Sequence, residues 1–124
     1  MNRFDPKTKT FSFFAPSSGF TNIHGLCMVG DKLWVGTFSK GLKIVDTNTG
    51  NILKTYQKND SPRSLIDNSI FAICRTTTGD IYLGTMFGLL RYNEQTDDFD
   101  RIEELAGRFV YDIKEDSGGN LWLA

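Results

Sequence analysis

Ile70–Thr85 reads IFAICRTTTGDIYLGT. Its first half is a short apolar run, Thr78-Gly79-Asp80 is turn chemistry, and Ile81–Gly84 brackets an aromatic residue with aliphatics. Two short strands around a Gly-containing turn form a hairpin. Gly88-Leu89-Leu90-Arg91-Tyr92-Asn93 then supplies a third strand, Asn93-Glu94-Gln95-Thr96 a polar turn, and Asp98–Ile102 a fourth strand. Four short strands in sequence order make one antiparallel meander.

The same pattern recurs on both sides. Ile23–Thr37 reads IHGLCMVGDKLWVGT, and Val110–Ala124 reads VYDIKEDSGGNLWLA. Trp34, Tyr82 and Trp122 fill one slot, and Gly36-Thr37 matches Gly84-Thr85. Gly41–Thr49 matches Gly88–Thr96, and Arg3–Phe11 gives a third copy of that part. A drifting period of about 40–48 residues with four strands per unit is the signature of a propeller blade. The expected fold is all-β, a β-propeller fragment of about three four-stranded blade equivalents whose terminal blades are incomplete. Residues 1–22 are expected to give strands C and D of a partial blade. Residues 23–68 and 69–107 are expected to give whole blades, and 108–124 strands A and B of another partial blade.

Each part of the repeat has a physical reading. Strand A (Gly25–Val29, Phe71–Arg75, Val110–Glu115) should line the channel. Strand B (Leu33–Gly36, Ile81–Gly84, Leu121–Leu123) should place its aromatic between blades. The A–B turns carry Gly30, Gly79 and Gly119, which supply the positive φ of tight hairpins. Asp or Asn followed by Thr at the C–D turn should cap local backbone. The polar stretch KNDSPRSLIDN (58–68) reads as a connector from strand D of one blade to strand A of the next.

Three blades are fewer than the ~4 to 8 that close a ring. The chain therefore reads as part of a propeller, with head-to-tail pairing of two copies through open blade edges as a second route to closure.

Composition narrows the function classes. Fourteen Lys+Arg against fifteen Asp+Glu leave a net charge of −1. A nucleic-acid binder shows a basic excess, so no nucleic-acid partner is expected, and no run approaches the ~20 apolar residues that cross a bilayer, so no membrane contact is expected either. Cys27 and Cys74 occupy equivalent strand A positions and read as small buried hydrophobes. No cofactor is expected.

Val110–Ala124 strongly resembles the two-component regulator propeller repeat: Asp112, Ile113, Glu115, Asp116, Gly119, Asn120, Leu121 and Trp122 all fit its pattern. Gly84-Thr85, Gly88-Leu89 and Arg91-Tyr92-Asn93 resemble its next part, and Asn68-Ser69-Ile70 resembles the opening of a repeat. The first copy departs most, since Gly25–Val29 lacks the acidic residues. The resemblance implies a non-catalytic, periplasmic part of the sensor of a Bacteroidetes hybrid two-component histidine kinase. It also implies signal transduction in response to glycan-derived ligands, with an oligosaccharide as the partner. A protein-binding scaffold and, less favoured, part of a propeller lyase or hydrolase are the alternatives.

Candidate chemistry is sparse. One histidine, His24, cannot build a triad or a multi-histidine metal site; it reads as a loop residue just before strand A, and neither catalytic nor metal-binding residues are expected. The carboxylate pairs Asp97-Asp98, Glu103-Glu104 and Glu115-Asp116 read as solvated turns and edges, because neighbours along a strand point to opposite faces. The D–A and B–C loops share one end of the blades. They carry Asn22, His24, Phe38, Lys40, Asn68, Met86 and Phe87, a mix of rings and amides that suits a sugar. The alternative is that Phe38 and Phe87 pack between blades.

Overall fold

The computed structural model describes residues 1–14, 20 and 22–124. Residues 15–19 and 21, within the expected first segment, lie outside the described residues. Among the described residues, four antiparallel sheets follow one another in chain order. The first pairs β1 (Asn2–Asp5) with β2 (Thr10–Phe13). The second contains β3 (Ile23–Val29), β4 (Lys32–Thr37), β5 (Leu42–Asp46) and β6 (Ile52–Tyr56), in that spatial order. The third contains β7 (Ile70–Arg75), β8 (Ile81–Thr85), β9 (Gly88–Asn93) and β10 (Asp98–Arg101). The last pairs β11 (Ile113–Glu115) with β12 (Leu121–Leu123). A 3-10 turn, Glu103–Leu105, sits between the third sheet and the fourth. The third inner strand is shorter than Val110–Glu115, since only Ile113–Glu115 joins the ladder.

The two complete sheets are blades, here blade 1 (β3–β6) and blade 2 (β7–β10). Their inner strands lie side by side, β3 against β7 and β7 against β11. Trp34, Ile44, Leu65, Ile70, Leu83, Leu90 and Phe99 pack into one core between blades 1 and 2. Trp34 meets Tyr92 edge-on at 5.0 Å. Tyr82 packs against a second cluster of Ala72, Leu89, Val110 and Ile113. The slot-B aromatics of blades 1 and 2 therefore sit where sheet faces meet. Trp122 differs: it is 68% exposed, and its indole N–H donates to Asp116 at 2.9 Å.

The Gly-Thr pair after each slot aromatic has two separate jobs. A Cβ on Gly36 would lie 2.9 Å from the Ile70 carbonyl oxygen, and one on Gly84 2.6 Å from that of Val110. Glycine there lets the next blade's inner strand begin almost in contact with strand B. The threonine closes the B–C turn. Thr37 Oγ1 donates to the Gly41 carbonyl at 2.8 Å and accepts the Lys40 N–H at 3.1 Å. Thr85 Oγ1 donates to the Gly88 carbonyl at 2.9 Å and accepts the Phe87 N–H at 3.1 Å.

The C–D turns repeat a cap. Asp5 Oδ1 accepts the N–H groups of Lys7 and Thr8. Asp46 Oδ1 accepts those of Asn48 and Thr49, and Asn93 Oδ1 accepts those of Gln95 and Thr96. These N–H dipoles favour the ionised form, so the Asp5 and Asp46 carboxyls are held below the usual carboxylate range. Four residues past each cap, the chain turns left-handed, at Lys9 (φ 55°), Gly50 (φ 76°) and Asp97 (φ 55°).

The connector is more than a polar link. Leu65 is fully buried in the core between the blades. Arg63 grips the outer strand of blade 2, with Nε on Asp98 at 2.6 Å and Nη1 on Asp100 at 2.8 Å. Of the carboxylate pairs, Glu103-Glu104 is exposed as expected, whereas the other two make contacts across the fold. Glu115 receives the N–H and hydroxyl of Thr77 at 2.8 and 2.9 Å, from blade 2. Asp97 receives Lys54 Nζ and Tyr56 OH from blade 1. Cys27 and Cys74 are free thiols and only half-buried, which corrects the expectation of full burial. Burial pushes the Cys74 thiol up, away from reactivity.

Candidate functional site

In a four-strand meander, the A–B and C–D turns fall at one end of a blade and the B–C and D–A connections at the other. The second end carries the candidate residues, and a bulge decides how they are presented. In blade 1 the ladder pairs Ile23 with Thr37 and then Gly25 with Gly36, leaving His24 unpaired. In blade 2 it pairs Ile70 with Thr85 and then Ala72 with Gly84, leaving Phe71 unpaired. A bulge adds one residue to one strand and re-aims its side chain. His24 is thus a strand residue within β3, which corrects its reading as a loop residue.

The two bulge residues meet. His24 and Phe71 have ring centroids 5.0 Å apart. Tyr111 follows Val110 as Phe71 follows Ile70, and it lies 5.7 Å from Phe71. Phe109 stands edge-on to Phe71 at 4.7 Å, and Phe38 does so at 6.1 Å. Phe71 is therefore the hub of a five-ring cluster drawn from β3, β7, the β4–β5 turn and the segment just before β11. The cluster is open to solvent: Phe38 is 39% exposed, Phe109 51% and Tyr111 57%. Ring pairs in these tilted and edge-on geometries hold one another in place, so the cluster presents ring faces and edges.

The other candidates fall into two groups. Asn22 frames the cluster: it is left-handed (φ 51°) and its carbonyl accepts the Phe38 N–H at 2.9 Å, which fixes where Phe38 leaves the backbone. Asn68 is committed elsewhere. Its Oδ1 accepts the Lys58 N–H at 2.7 Å and its carbonyl accepts the Gly41 N–H at 2.9 Å, so it ties the connector to the B–C turn. Lys40 is exposed and Met86 half-buried. Phe87 is 49% exposed and has no ring partner among the described residues. The structure thus joins His24 and Phe38 to the cluster, with Asn22 beside them, and leaves Lys40, Asn68, Met86 and Phe87 outside its ring contacts. Phe71, Phe109 and Tyr111 are the members that sequence reasoning passed over. Among the described residues no group of His, Cys, Asp and Glu could hold a metal ion.

The family described as two component regulator propeller matches residues 64–87. Histidine kinase P4 of Formosa agariphila is 30% identical over 114 residues, covering 82% of this chain and 8% of that protein. The extracellular domain of the putative hybrid two component system BT4673 from B. thetaiotaomicron superposes with a TM-score of 0.73 at 20% identity, over 99% of this chain and 19% of that one. The corresponding domain of BT3049 from the same organism gives 0.72 at 20% identity, over 98% and 19%. At that identity the solved domains share the fold, and this chain spans under a fifth of their length. The match to the two component regulator propeller family thus covers residues 64–87, in and around the start of blade 2.

Proposed function

We propose that this run of propeller repeats is a non-catalytic part of the extracytoplasmic sensor domain of a hybrid two-component system, and that its five-ring cluster contacts a glycan-derived oligosaccharide. The observation that carries the reading is the cluster itself. Rings that stack on the apolar faces of a sugar are the usual partner of a polyhydroxylated ligand, with amides and backbone groups at the margin. The repeat and the likeness to extracellular domains of two-component systems support the sensor role and a periplasmic location. No helix among the described residues is long and apolar enough to cross a membrane.

A panel of oligosaccharides screened by thermal shift tests the proposal. At least one member raises the melting temperature of the chain, and Phe71→Ala removes that shift by taking out the hub. A panel without a single shift, or a shift that survives Phe71→Ala, removes the cluster from the binding face.

A further inference from the structure

The end of the blades opposite the ring cluster holds a second feature. Between the face of blade 1 and the turns of blade 2 lies a wedge-shaped cavity of about 820 Å³. Small-molecule sites run to about 300–1,000 Å³. Its floor is apolar and aromatic, with Trp34, Ile44, Ile81 and Tyr92 at the base. Its rim is charged, and the ion pairs decide what sign of ligand it takes.

Three of the four lining carboxylates are already neutralised. Asp80 receives Arg91 Nη2 at 2.7 Å. Asp97 receives Lys54 Nζ, with the Tyr56 and Tyr92 hydroxyls on its other oxygen at 2.5 and 2.8 Å. Asp100 is held by Arg63, which stands outside the cavity, at 2.8 Å. Burial, followed by the neighbouring Tyr92 hydroxyl, pushes the Tyr56 phenol up and keeps it a donor to Asp97. The fourth carboxylate, Glu94, is exposed at the rim. Of the lining cations, Arg75 has no ion-pair partner among the described residues. Among the described residues Lys32 pairs only with Asp31, a neighbour along the chain whose side chain is 78% exposed. Both sit at the A–B turn end of the inner strands, Lys32 opening β4 and Arg75 closing β7. An apolar floor under two cations that lack buried partners is complementary to an anion with a ring or hydrocarbon body.

We propose that this inter-blade wedge is a binding site for a small ring-bearing carboxylate, with Arg75 taking the carboxylate, Lys32 reinforcing it, and the Trp34–Tyr92 floor receiving the ring. A planar guanidinium matches a carboxylate with two parallel N–H donors. Sugar acids and aromatic acids share this chemistry. The site is independent of the ring cluster at the other end, since none of the five clustered rings lines the wedge.

The chain has two tryptophans. Trp34 lies in the wedge floor, and Trp122 lies on β12 away from it. ¹H–¹⁵N NMR of the purified chain therefore gives two indole signals, assigned with Trp122→Phe. The probes are D-glucuronate and 4-hydroxybenzoate, with D-glucose as the uncharged control. The expected result is a saturable shift of the Trp34 signal with at least one carboxylate, no matching shift of Trp122, and none with glucose. Arg75→Ala weakens this binding by about tenfold or more, Lys32→Ala weakens it less, and Phe71→Ala leaves it intact. A shift with glucuronate alone identifies sugar acids as the source, and one with 4-hydroxybenzoate alone identifies aromatic acids. The proposal is overturned if neither acid moves Trp34, if glucose moves it equally, or if Arg75→Ala binds as the parent does. Should Arg75→Ala lose its dispersed spectrum, Lys32→Ala decides: unchanged affinity there also overturns the site.

Discussion

Replacing Gly84 by alanine puts a methyl carbon 2.6 Å from the Val110 carbonyl oxygen and 2.9 Å from Val110 Cγ1. Gly84 lies in a strand without positive φ, so alanine is conformationally permitted and by itself gains about 0.5–1 kcal/mol over glycine. The contact acts against that gain. The nearest atom is backbone and cannot rotate away, so the inner strand of the next blade must move. Overpacking of this kind costs about 1–3 kcal/mol. The shift also strains the Val110 N–H bond to the Thr85 carbonyl, now 2.9 Å, worth about 1 kcal/mol net. The balance is a loss of about 1–3 kcal/mol, a large share of the ~5–15 kcal/mol of a domain. Gly36→Ala, with its Cβ 2.9 Å from the Ile70 carbonyl oxygen, should behave alike. Gly30→Ala is the contrast, because nothing lies within 4 Å and only the left-handed φ of 61° opposes it. Urea unfolding followed by circular dichroism measures all three. If Gly84→Ala and Gly36→Ala are as stable as the parent, the close approach of successive blades is not what the Gly-Thr pair serves.

Leu65→Ala should cost about 2–5 kcal/mol, the loss for a fully buried leucine, and an unchanged urea midpoint would return the 58–68 connector to a passive role. Asp116 is held down to about 2, from an ordinary 3.8, by the Trp122 indole N–H and then the Asn120 N–H. A depressed folded pKa gives stability that is present above the unfolded value and lost as pH falls towards the folded one. Asp116→Asn should therefore flatten the pH dependence of the urea midpoint between about pH 4 and pH 2, and an unaltered slope there would exclude the carboxylate.

The four-strand period was readable because turn chemistry and slot aromatics are local signals. Gly79 and Gly119 sit at positive φ in the A–B turns, and the capping Asp or Asn stands where the pattern required it. Partners distant in sequence were not readable. Asp97 and Asp98 look like a solvated pair until Lys54, 43 residues away, and Arg63, 35 residues away, are folded onto them. Leu65 was hidden in the same way, as one of two aliphatics in a polar stretch whose composition describes a loop.

The ring cluster was missed for a more particular reason. Strict alternation places Phe71 on the wrong face of β7, and only the bulge between Ile70 and Ala72 re-aims it. A signal did exist. When the three copies are aligned, His24, Phe71 and Tyr111 fall in one column, and each carries a ring. The Gly-Thr pair and the C–D cap recur with nearly constant chemistry because each answers a backbone demand that every blade makes. The bulge column answers none: the bulge repeats in blades 1 and 2 while its side chain changes from imidazole to phenyl, and the aligned Tyr111 brings a phenol. A position held in place by the repeat but free in its chemistry can vary without loss of the fold. In a repeat array such a position is where recognition can differ from blade to blade.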